Sequence, residues 1–130
     1  MADIGTPEID IEDISFSGAT LSEIDLLVSV ALENGNPFGV PLKKMDFEIF
    51  GLIDGKNRKI AHGHYGEFNM PPGRSSLKIP VIIKNKEIVS AFSEILLNRG
   101  INVRITGNAR IDLAVTSINV PFSEERSFSF

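Results

Sequence analysis

No cysteine occurs among the 130 residues, which excludes disulfides and thiolate metal centres. No Asn-x-Ser/Thr sequon is present, which argues against a glycosylated extracellular protein. No apolar run approaches the roughly 20 residues of a membrane-spanning helix. The start, Met1-Ala2-Asp3-Ile4-Gly5, is acidic and lacks the basic and apolar regions of a secretion signal. These absences lead to the expectation of a cytoplasmic protein. A membrane-anchored longer form remains compatible with them if a natural N-terminus has been shortened. Lysine and arginine are missing from residues 1–42, which carry eight carboxylates.

The chain is of single-domain length, and 42% of its residues are hydrophobic, enough for a packed core without staples. Net charge is −4, unevenly placed: beyond residue 42 nine carboxylates face thirteen basic groups. The acidic segment is either a face for a basic partner or, more simply, a strand pair lying beside basic strands with a small screened attraction. Nucleic acid is not expected as a partner, because phosphate backbones require a concentrated basic surface.

Ile9, Ile11, Ile14 and Phe16 alternate with polar residues. The change of parity between Ile11 and Ile14 predicts a β-bulge near Glu12-Asp13. Ile24, Leu26, Val28, Val30 and Leu32 hold strict period two. Residues 33–41 are dense in Gly, Asn and Pro and read as a loop. A strand from about Lys44 to Asp54 turns at Asp54-Gly55, a pair suited to the positive φ of a tight hairpin, and returns to about Tyr65. Met70-Pro71-Pro72-Gly73 is a further turn. Leu77 to Ile83 resume the alternation, and Pro80 within them marks an edge or a bulge. Ile88, Val89, Phe92, Ile95 and Leu96 fall on one face of a helix over 86–98, capped by Asn85 and ended by Gly100. A long strand with a kink at Gly107 and a last strand around Ile118, Val120 and Phe122 follow. The expectation is one domain over 1–130, a seven-stranded antiparallel β-sandwich with one α-helix.

Candidate chemistry is sparse. His62 and His64 share a strand face, but two imidazoles hold a metal only with further ligands, and Glu67 lies past the strand's end. Gly51-Leu52-Ile53-Asp54-Gly55-Lys56 is one residue short of a phosphate loop, lacks the Ser/Thr and precedes no helix, so it reads as the hairpin. No nucleophile elbow or dinucleotide fingerprint is present. The chain is read as a non-enzyme without cofactor, metal or catalytic residues.

The run Leu27 to Phe38, ending in Asn36-Pro37-Phe38, resembles the opening of the WHy (water stress and hypersensitive response) domain, the folded LEA_2 class of late-embryogenesis-abundant proteins. Ile60-Ala61-His62-Gly63, the strand Leu77–Ile83 with Pro80 inside, the amphipathic helix and the final strand pair match that family in order over about residues 7–126. The resemblance makes Asn36, Pro37, Phe38, Gly63 and Pro80 structural signature positions. It implies a fibronectin type III-like, immunoglobulin-like sandwich and a role in desiccation and other stress, with no catalytic residue to carry over. Independently of family, Asn36-Pro37 is suited to ending one strand and sending the chain to the other sheet. Two functions follow as expectations. One is a protective protein acting by transient contacts on client proteins or a membrane surface. The other is a module that binds one partner protein or a glycan through loops or an edge strand.

Overall fold

Successive side chains of an extended backbone point to opposite faces, so a row of alternating apolar residues becomes a strand with one buried side. The computed structural model describes residues 5–20, 22–53, 55–90, 101–113 and 116–128. Among them lie β1 (Glu8–Ala19), β2 (Ile24–Asn34), β3 (Val40–Ile53), β4 (Lys56–Tyr65), β5 (Phe68–Met70), β6 (Gly73–Ile83), β7 (Ile101–Leu113) and β8 (Thr116–Phe128). These eight correct the expected seven. The extra strand, β5, has three residues and stops at Pro71-Pro72, too short to display alternation.

The strands form two antiparallel sheets, one ordered β1-β2-β6, the other β4-β3-β7-β8 with β5 also pairing β3. Their inner faces share one core. The three-stranded sheet contributes Ile24, Leu26, Val28, Val30 and Leu32 from β2 and Leu77, Ile79, Val81 and Ile83 from β6. The larger sheet contributes Leu42, Met45, Phe47 and Ile49 from β3 and Val103, Ile105, Ala109 and Ile111 from β7. The chain changes sheet between β2 and β3, in the Asn36-Pro37 segment, between β5 and β6, and again between β6 and β7.

Local expectations meet the structure unevenly. The β1–β2 register shifts between Ile11 and Asp13, where the bulge was expected. Arg126 Nη2 on β8 donates to the Ile11 carbonyl at 2.7 Å, tying the two sheets together at the bulge. Ile53 pairs with Lys56, and Gly55 between them has φ 74°, as a two-residue hairpin turn requires. Pro80 lies on β6, whose one strand partner among the described residues is β2, so the proline sits on an edge of that sheet.

Gly107 has a packing reason to be glycine. The β3–β7 and β7–β8 registers run through it without a shift, so it marks no irregularity in either ladder. A Cβ there would collide with the Asp46 carbonyl, Phe47 Cβ and Phe122 Cζ, so a glycine is needed for close approach.

Residues 86–90 are helical. Asn85 Oδ1 accepts from the amides of Glu87 (3.0 Å) and Ile88 (3.2 Å), and the Asn85 carbonyl accepts from Val89 N at 2.8 Å. Ile88 and Val89 are buried in the core. The rest of the expected helix, with Phe92, Ile95, Leu96 and the Gly100 terminus, lies outside the described residues.

The acidic opening also finds a structural setting. Glu12 on β1 accepts from Ser76 Oγ at 2.9 Å and stands 3.5 Å from Arg74, both on β6. Glu12 therefore reaches across β2, whose Ala31 is buried although it lies out of phase with the core row.

Candidate functional site

The period-two row of β2 carries one residue further than its apolar members. After Ile24, Leu26, Val28, Val30 and Leu32, the next inward position is Asn34, and it is buried. A buried amide must find partners, because an unpaired one costs about 1–3 kcal/mol. Asn34 Nδ2 donates to the carbonyls of Phe38 (3.0 Å) and Met70 (3.1 Å). Its Oδ1 accepts from the backbone amide of Asn36 (3.0 Å) and from Asn36 Nδ2 (2.9 Å). Asn36, also buried, exchanges two bonds with the backbone of Gly5: Gly5 N donates to Oδ1 at 2.9 Å, and Nδ2 donates to the Gly5 carbonyl at 3.0 Å.

Two asparagines thus fasten the N-terminal lead, the 35–39 crossover and β5 to the end of β2. Their polar atoms are consumed internally, so this pair is a clamp rather than a ligand-binding surface. Pro37 and Phe38 sit on the outside of the crossover, with Phe38 46% exposed. Asn34 is the member that sequence reading missed. The signal was present, since it continues the apolar phase of the strongest strand.

Gly63 lies opposite Phe47 across β4 and β3, and Gly107 lies opposite Phe47 on β7. A Cβ on Gly63 would meet the Phe47 ring atoms Cζ, Cε2 and Cε1. The buried ring therefore lies over the strand at Gly63, while Gly107 admits Phe122 and the Phe47 stem. Pro80 stands at the opposite sheet's edge, facing Leu27 in register. The five signature positions do not converge on one site.

The outer face of the larger sheet is polar. His62 and His64 lie there opposite Glu48 and Asp46. His64 Nδ1 is 2.7 Å from Asp46 Oδ1, and Lys59 Nζ is 3.9 Å from Glu48. Among the described residues no three His, Cys, Asp or Glu side chains are grouped to hold a metal ion. Between β4, β3, β7 and β8 this face forms a broad, open depression of about 690 Å³, whose lining includes Lys44, Phe50, His62, Asn108, Arg110 and Asn119. Among the described residues no helix is long and apolar enough to cross a membrane.

Residues 29–126 match the family model LEA_2, late embryogenesis abundant protein. An uncharacterized protein of Methanocaldococcus jannaschii is 26% identical over 116 residues, covering 88% of this chain and 66% of that protein. The chain therefore spans just under two thirds of that relative's length. A solution structure assigned to a late embryogenesis abundant protein superposes with a TM-score of 0.76 at 20% identity, covering 98% of this chain and 72% of that one. A second solution structure, from Arabidopsis thaliana, gives 0.66 at 18% identity, covering 100% and 85%. A crystal structure of a protein from Archaeoglobus fulgidus gives 0.61 at 15% identity, covering 93% and 98%. At these identities the structural likenesses establish the fold alone.

Proposed function

This chain belongs to the late embryogenesis abundant (LEA_2) family, and from that premise we propose that it is a non-enzymatic stress protein that protects other macromolecules during water loss. The family match over residues 29–126 carries the reading. Protection acts through transient surface contacts with client proteins or a membrane surface, in the cytoplasm. The two sheets around one core are read as a fibronectin type III-like sandwich, a scaffold that stays folded while its outer faces make those contacts. The internal use of every side-chain polar atom of Asn34 and Asn36 supports a structural role for the signature loop.

The test is a labile enzyme dried and rehydrated with this protein or with an unrelated β-sandwich of matched size and charge at equal mass. Excluded volume alone contributes about 0.2–1 kcal/mol to any compact state, so the control fixes that background. More activity retained with this chain, at equimolar ratio or below, supports the proposal. Equal retention overturns it and favours the alternative, a module for one partner, for which the open depression on the larger sheet would be the surface.

A further inference from the structure

We propose that Lys44 and Arg110 form an oxyanion subsite on the outer face of the larger sheet, suited to a phosphate group.

Charge placement on that face carries the argument. Lys59 pairs with Glu48 at 3.9 Å, His64 with Asp46 at 2.7 Å, Arg104 with Glu125 at 2.8 Å, and Lys43 with Asp112 at 3.7 Å. Lys44 and Arg110 break the pattern. They are register partners across β3 and β7, so both side chains leave the sheet on the same side. Among the described residues no carboxylate lies within 4.0 Å of either cation. The nearest acid along β3 on this face, Asp46, is engaged by His64.

Like charges directly opposite each other in a sheet are destabilising. This pair also needs a local irregularity to exist. The β3–β7 register shifts between Leu42 and Lys44, and that shift aligns Lys44 with Arg110. Two amides flank the cations. Asn119 is the register partner of Arg110 on β8, and Asn108 is the next residue along β7 on the same face. All four line the depression.

The chemistry of the set selects the ligand. A guanidinium presents N–H groups in a planar fork that fits two oxygens of one oxyanion, the ammonium adds a point charge, and each amide supplies N–H donors. A phosphate monoester, near −2 at neutral pH, balances both cations, whereas a carboxylate would leave one uncompensated. The same group can come from a soluble phosphate compound or from a lipid headgroup. No covalent step is involved. The inference is independent of the protective role, because it concerns a small-ion contact that can be measured without any client.

The test is a titration of the isotope-labelled full chain with inorganic phosphate at fixed ionic strength, followed by amide chemical shifts and melting temperature. Saturable shifts centred on Lys44, Arg110, Asn108 and Asn119, with a higher melting temperature in phosphate than in chloride, are expected. Lys44→Glu supplies the missing carboxylate opposite Arg110 and should weaken the phosphate response by roughly tenfold or more. Arg110→Gln should weaken it similarly. Arg104→Gln, on the same face but in a formed ion pair, should leave it intact. A second arm compares phosphatidic acid vesicles with glycerol phosphate at equal phosphate concentration. A stronger vesicle response assigns the group to a membrane, and an equal or weaker one to a soluble compound. Shifts scattered over all basic residues, no response at all, or a response that survives both Lys44→Glu and Arg110→Gln would overturn the proposal.

Discussion

Asn36 Nδ2 donates to Asn34 Oδ1 at 2.9 Å inside the protein, at the point where the chain leaves one sheet for the other. The bond matters because of what each amide does with its remaining atoms. Asn34 reaches forward to Phe38 and across to Met70, and Asn36 reaches back to Gly5. Truncating Asn34 to alanine would strand the carbonyls of Phe38 and Met70 and the amide of Asn36. With about 1–3 kcal/mol for a buried group left unpaired, Asn34→Ala should lose at least about 2 kcal/mol in urea denaturation. Asn34→Asp should also destabilise, because a carboxylate keeps the acceptor but turns an anion toward two carbonyls. A denaturation midpoint unchanged in both variants would show that the clamp is not what fixes the crossover.

A second prediction concerns Phe47 and the glycines beside it. Methyl groups added at Gly63 have no room while the ring is present, and overpacking of this kind costs about 1–3 kcal/mol. Gly63→Ala should therefore destabilise the wild-type protein, yet be close to neutral in a Phe47→Ala background, where the ring is gone. Phe47→Ala alone should cost about 3–5 kcal/mol. The coupling between the two sites, read from a double-mutant cycle, should reach at least about 1 kcal/mol. Additive effects would mean that Gly63 serves its backbone and not the ring.

These contacts show where sequence reading stops. The rows on β2 and β6 were legible because each keeps an unbroken period of two, and the bulge on β1 because it reverses parity between Ile11 and Ile14. The packing role of Gly107 was not legible, since a glycine in a strand signals an irregular backbone or a close neighbour, and the closeness of Phe122 on the next strand is visible only in three dimensions. Asn34 was hidden among the Gly and Asn residues of the following loop, although its phase marks it as inward. Lys44 and Arg110 could not be found at all. Their pairing depends on a register shift in β3, and a one-residue difference in register changes every facing partner.

The histidines give a third prediction. His62 and His64 stand opposite carboxylates, but their described neighbours form no group of three ligands. Zinc added at equimolar concentration should leave the melting temperature of the wild-type protein unchanged, and His62→Ala with His64→Ala should behave the same. A zinc-dependent rise in the wild type that disappears in the double variant would identify a metal site and displace this interpretation.

The last prediction concerns the start of the helix, where a single side chain decides whether the backbone turns. The first amides of any helix lack carbonyl partners within it. Asn85 Oδ1 satisfies two of them, at Glu87 and Ile88, while its own carbonyl takes the first helical bond from Val89. The turn thus formed directs Ile88 and Val89 into the core at the end of β6. Asn85→Ala removes the acceptor without changing either buried residue, and should cost about 0.5–2 kcal/mol. Asn85→Asp and Asn85→Ser preserve an acceptor at the same position and should recover most of that loss. The denaturant slope should stay constant across the three variants, because a lost cap changes stability and not the surface exposed on unfolding. Comparable losses for alanine, aspartate and serine would show that the Asn85 side chain does not act as the cap, leaving the burial of Ile88 and Val89 to hold the turn.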